Sequence, residues 1–210
     1  MGRTVNAAAG AGRRASWLKT LHRWHWISSA LCLVGMLLFA FTGLTLNHAG
    51  EIESRPRVVN RQAALPPALR SRLAGPDGKR PLPPALRDWA EAQFGLALDA
   101  RSAEWSGDEV YLSLPRPGGD AWLRFTRADG RAEYERTDRG WVAYLNDLHK
   151  GRNTGPAWSW FIDLFALACL VFAGTGLLIL RLHAAKRPAT WPVVAFGLVV
   201  PLLLALLFIH

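Results

Sequence analysis

The chain consists of long apolar runs set around one long polar block. The apolar runs extend from Trp26 to Leu46, from Trp158 to Leu180 and from Val193 to Ile209. At about 1.5 Å per helical residue, the first two are long enough for a bilayer core of roughly 30 Å. The third contains Pro201 and is shorter, but it spans if Trp191 and His210 sit at the interfaces. The pattern therefore predicts membrane helices over 26–46, 157–181 and 193–209. A basic tail (1–25) precedes them, a polar block (47–156) separates the first two, and a short loop (182–192) joins the last two.

Within the polar block, residues 55–84 are rich in proline and arginine and predict an irregular linker. PALRDWAEAQFG, residues 84–95, places Leu86, Trp89, Ala90 and Phe94 at helical spacing. Strands are predicted over 98–106, over the alternating EVYLSL of 109–114, and over AWLRFTR, 121–127. Asp129-Gly130 is a hairpin signal, with the return strand over 131–137. This is a small α+β module of one helix and three or four antiparallel strands. It carries no catalytic triad, CxxC or glycine-rich phosphate loop, so a binding or spacer role is expected. GWVAYLNDL, 140–148, is a short amphipathic segment leading to His149.

The charge distribution adds an orientation. Net charge is +9, a balance that often points to nucleic acid. Here the cations flank apolar spans or are diluted across the polar block, which favours a membrane and excludes nucleic acid as the expected partner. Arg3, Arg13, Arg14, Lys19 and Arg23 precede the first run, and Arg181, Lys186 and Arg187 follow the second. By the positive-inside rule both flanks face the cytoplasm, and the polar block faces the periplasm of a bacterium. The basic region before the first run is too long for a signal peptide, and NHAGEIES after it is a poor cleavage site, so the first helix is expected to stay uncleaved. Cys32 and Cys169 both lie in apolar runs and supply no disulfide framework to the polar block.

Of the 6 histidines, five flank the first two membrane helices: His22, His25, His48, His149 and His183. The two helical regions also share text. Leu21-His22-Arg23 precedes one and Leu148-His149-Lys150 the other, while Thr42-Gly43-Leu44 and Thr175-Gly176-Leu177 lie near their ends. The helices run in opposite directions, as in inverted repeats. Antiparallel packing brings His48 and His149 to the outer interface, and His22 or His25 with His183 to the inner one. Paired imidazoles on facing helices can ligate haem iron. Gly43, Gly174 and Gly176 leave room for close approach, and Arg23, Lys150, Arg152 and Arg181 are candidates to pair with propionates. Each histidine taken alone is more simply an interfacial residue than a ligand; the constellation carries the hypothesis. Zinc competes, but no Cys, Asp or Glu cluster completes a tetrahedral site. His25 and His48 would lie about 35 Å apart on a straight helix, far for direct electron transfer between two haems, so either the ligands reach inward, an intermediate carrier helps, or only one end binds haem. Asp163 near the start of the second helix reads first as an interfacial acid at a helix N-terminus.

LHRWHW, FTGLTLNHAG and GWVAYLNDLHKGRNTGPAWSWFIDLFAL continuing into TGLLIL resemble the PepSY-associated transmembrane family. The resemblance implies a PepSY-like α+β periplasmic domain between helices 1 and 2. It also implies kinship with bacterial inner-membrane ferric-siderophore reductases that bind haem b. It marks His22 and His149 as leading ligands, with His48 and His183 as partners: an outer pair, His48 with His149, and an inner pair, His22 with His183. The expected function is haem-dependent electron transfer to a ferric siderophore or periplasmic redox partner. The chain is smaller than those reductases, which points to a homodimer or a larger membrane complex in contact with lipid. The alternative is a membrane-anchored PepSY module that binds or regulates a periplasmic protein without a cofactor.

Overall fold

The computed structural model describes residues 2–52, 55–99 and 101–209, with side chains from residue 12 onward. The expected interfacial His210 lies outside the described residues. The elements in chain order are α1 (Gly2–Asn47), β1 (Arg57–Ala64), α2 (Pro67–Arg70), β2 (Gly78–Pro81), α3 (Pro84–Phe94), β3 (Ser102–Trp105), β4 (Glu109–Ser113), β5 (Gly119–Thr126), β6 (Arg131–Asp138), α4 (Gly140–Lys150), α5 (Pro156–His183) and α6 (Thr190–Phe208). The chain divides into two compact units, Met1–Leu38 with Trp160–His210, and Phe39–Ser159.

The first unit is helical. Helices long and apolar enough to cross a membrane cover Gly12–Asn47, Pro156–Lys186 and Thr190–Phe208. α1 continues as helix through the basic N-terminal residues, an alanine-rich stretch with no proline to stop it. Leu21, Ser28 and Cys32 are buried, and His25 and Gly35 are half-buried between and beyond them. That spacing of three and four residues traces one seam along α1. Across the seam Gly35 lies against the ring of Phe165 on α5, while the buried Cys32 donates along its own helix to Met36 Sδ at 3.6 Å. Pro201 sits inside α6, whose large apolar side chains are exposed, as suits contact with acyl chains.

The second unit contains one antiparallel sheet in the order β1-β6-β5-β4-β3-β2. α3 packs Leu86, Ala90 and Phe94 onto one face, where Val110, Leu112, Leu123, Phe125 and Ala132 are buried. Gly95 ends α3 with φ 67°, a left-handed conformation that favours glycine. The β5–β6 turn closes with Gly130 N–H donating to Thr126 O at 2.9 Å. Four predicted strands are present as β3 to β6. The expected linker at 55–84 is corrected: it holds β1, α2 and β2. β1 escapes the pattern because it is an edge strand whose residues are exposed or half-buried, so it shows no apolar alternation.

Candidate functional site

Two histidine contacts define the helical chemistry. In the first unit, His25 Nδ1 lies 3.0 Å from Thr175 Oγ1, its ring stacks on Phe172 with centroids 4.7 Å apart, and its Cε1 faces Gly176. In the second unit, His149 Nδ1 lies 2.7 Å from Thr42 Oγ1, and its Cε1 faces Gly43. Each histidine thus sits on the Thr-Gly pair of a neighbouring helix. A Cβ built on Gly176 would stand 3.3 Å from His25 Cε1, and one on Gly43 would stand 3.6 Å from His149 Cε1. At Gly176 a side chain would crowd the His25 ring, whereas at Gly43 a Cβ would meet His149 at ordinary van der Waals distance. Gly174 has nothing within 4 Å of that point, so its expected role in close approach is not visible in the first unit.

The hydrogen-bond geometry sets the tautomers. Thr175 Oγ1 donates to Val171 O at 2.7 Å, and Thr42 Oγ1 donates to Phe39 O at 3.1 Å. A hydroxyl has one proton to give, so where it goes to the helix carbonyl each Thr accepts from the histidine, and Nδ1 of His25 and His149 carries the proton. His22, His48 and His183 reach the same tautomer by another route. Their Nδ1 atoms lie 2.8, 3.0 and 2.9 Å from the carbonyls of Leu18, Leu44 and Ile179, which can only accept. In all five rings Nε2 is the nitrogen left outside these bonds. This is the arrangement in which one ring nitrogen is oriented by a hydrogen bond while the other can bind a metal.

A cavity of about 380 Å³ brings two of the five together. His25, Gly176, Ile179 and His183 line it, with Lys186, Arg187 and Thr190 on the turn into α6. His22, one turn before His25, does not line it; it is exposed and bonded to its own helix. The seam explains the choice, because it passes through Leu21, His25 and Ser28. In the second unit Asn146 and His149 share a face of α4 and meet Thr45 and Thr42, with Thr45 Oγ1 donating to Asn146 Oδ1 at 3.0 Å. His48 is exposed and bonds the Leu44 carbonyl. Thr42, Thr45, Asn146 and Thr175 were not among the sequence-derived candidates. Thr42 and Thr175 fall in the repeated Thr-Gly-Leu text, whereas nothing in the sequence marks Thr45 or Asn146. No group of three or more His, Cys, Asp or Glu suited to a metal occurs among the described residues. Asp163 is exposed on α5.

The family model described as PepSY_TM-like matches residues 16–210. The chain belongs to this family of PepSY-associated transmembrane proteins. Comparisons with curated proteins and with solved structures give no significant match.

Proposed function

We propose that this PepSY_TM-like protein holds haem b in the bacterial inner membrane and passes electrons to a periplasmic acceptor, such as a ferric siderophore or a redox partner. The observation that carries this reading is the cavity shared by His25 and His183, each with Nδ1 engaged and Nε2 without a protein partner among the described residues. The donor set fits the group: two neutral imidazoles, apolar walls from Ile179 and Leu180, and cations at Lys186 and Arg187 that suit propionates. His25 and His183 are the proposed inner ligands in place of His22 and His183. His149 with His48 remains the proposed outer pair, with the Thr42 hydrogen bond orienting the His149 ring. Haem held this way would supply a one-electron Fe(III)/Fe(II) couple. The protein's own part is to fix ring orientation and to exclude water.

In this reading the N-terminus and the α5–α6 turn face the cytoplasm, and the α+β unit stands between helices 1 and 2 in the periplasm. A second copy or a larger membrane assembly completes the electron path. A second reading is supported by the two His–Thr contacts, which join helices without any cofactor. The protein is then a membrane-anchored PepSY module that binds or regulates a periplasmic protein. Expression with haem supply, purification in detergent and reduced-minus-oxidised spectra separate the two. The first reading predicts a haem α-band; a colourless, folded protein contradicts it and selects the second.

A further inference from the structure

A cleft of the α+β unit lies away from both histidine contacts. Its volume is about 650 Å³, within the roughly 300–1,000 Å³ range of small-molecule sites. The floor is made by β1 and β6. Arg57, Val59 and Arg61 alternate along β1 and so share one face of the strand. In register they stand opposite Asp138, Arg136 and Tyr134. Phe94 and Leu96, at the end of α3 and just beyond it, supply an apolar wall.

The charge in this cleft is one-sided. Arg55, Arg57, Arg61 and Arg136 line it against one acid, Asp138. That acid is already committed: its carboxylate accepts from Arg116 at 2.7 Å and from the Gly140 N–H at 2.9 Å, and Arg136 stands 3.8 Å away. The Gly140 N–H and the neighbouring guanidiniums hold its pKa below the usual carboxylate range. Arg61 Nη1 donates to the Phe94 carbonyl at 3.3 Å, which ties one guanidinium to the wall. Among the described residues Arg55 and Arg57 make no ion pair, so their charges are available. Guanidiniums recognise carboxylate and phosphate oxygens in bidentate geometry. The exposed Val59 and half-buried Leu96 offer an organic body an apolar surface.

We infer that this cleft is a binding site for a small organic polyanion, a molecule with two or more carboxylate or phosphate groups on an apolar body. The inference goes beyond the proposed function and does not depend on haem. The volume of about 650 Å³ suits a compact molecule rather than an extended acidic peptide.

The test is titration calorimetry at low salt on the full chain in phosphatidylcholine nanodiscs, with benzene-1,2,4,5-tetracarboxylate as probe and its neutral tetramethyl ester as control. Saturable binding of the acid and none of the ester is expected. Arg57→Gln and Arg136→Gln should each weaken binding by about tenfold, the loss of one charge-assisted hydrogen bond. Arg72→Gln, an equal charge change on an exposed residue outside the cleft, should leave affinity within about twofold. Far-UV circular dichroism confirms that each variant is folded. Binding that falls equally in Arg72→Gln, or no binding to folded wild type, overturns the site. Tighter binding of hexaglutamate than of the tetracarboxylate overturns the small-molecule assignment. If anionic phosphatidylglycerol in the nanodisc abolishes probe binding, the cleft takes lipid headgroups and the free-solute assignment fails.

Discussion

His149 Nδ1 lies 2.7 Å from Thr42 Oγ1, and the same relationship recurs between His25 and Thr175 at 3.0 Å. In both, a histidine on one helix is held by the Thr of a Thr-Gly-Leu segment on another, with the Gly beneath the ring. The textual repeat between the two membrane regions thus has a physical counterpart, a reciprocal exchange of imidazole and hydroxyl. The rings are oriented before any ligand arrives, which lowers the entropic cost of binding one.

The Thr42–His149 bond should be measurable as a coupling. A double-mutant cycle on Thr42→Val and His149→Phe is expected to give an interaction energy of about 0.6 kcal/mol, the average for interhelical hydrogen bonds in membranes. Steric-trapping or detergent-unfolding equilibria in bicelles would read it. A coupling of zero would mean that the contact only reflects packing.

Gly176 and Gly174 should respond differently to bulk. Gly176→Leu adds atoms where a Cβ already stands 3.3 Å from His25 Cε1, whereas the space beside Gly174 is open. Gly176→Leu is therefore expected to lower haem content several-fold, and Gly174→Leu to leave it nearly unchanged. Haem-to-protein ratios by pyridine haemochrome would compare them, and equal effects would sever the link between Gly176 and His25 placement.

The core of the α+β unit predicts a large stability effect. Phe125 is 0% exposed and joins the cluster that α3 covers. Phe125→Ala should cost about 3–5 kcal/mol from lost transfer energy and the cavity left behind. Thermal or urea unfolding of the full chain, followed by pulse proteolysis within residues 57–138, would show it.

An acid-dependent contribution resides at Glu133. Hydrogen bonds from Asn60 and Arg124 lower its pKa below the usual carboxylate value, and Gln62 adds another. A carboxylate depressed on folding stabilises the fold at pH values above its unfolded pKa, and that contribution is lost as pH falls through the folded pKa. Glu133→Gln should thus reduce stability at neutral pH by up to about 1 kcal/mol, with the deficit shrinking on acidification. Melting temperatures of wild type and variant from neutral to strongly acidic pH would test the sign; a deficit that grew on acidification would contradict it.

Much of this architecture is legible in the chain because burial imposes periodicity. Each membrane run exceeds what a soluble helix needs, and β4, β5 and β6 alternate because one face meets α3. β1 is illegible for the converse reason. Its inward positions are Arg57, Val59 and Arg61, which face a charged cleft rather than a core, so composition reads as linker. His25 and His22 show a different limit. The LHR text favours His22 by likeness to Leu148-His149-Lys150, but α1 is continuous there while α4 ends at Lys150. The seam of Leu21, Ser28 and Cys32 assigns the half-buried position to His25. Thr175 and Thr42 are hard to single out before the helices are packed, because a Thr in an apolar helix is ordinarily satisfied by its own backbone.

The most direct test of the central claim compares reduced-minus-oxidised spectra and haem stoichiometry in the full chain and in His25→Ala, His183→Ala and His22→Ala. The account predicts an α-band in wild type and in His22→Ala, with haem content falling in His25→Ala and in His183→Ala. Loss in His22→Ala with retention in His25→Ala, or no haem in any folded form, would contradict it.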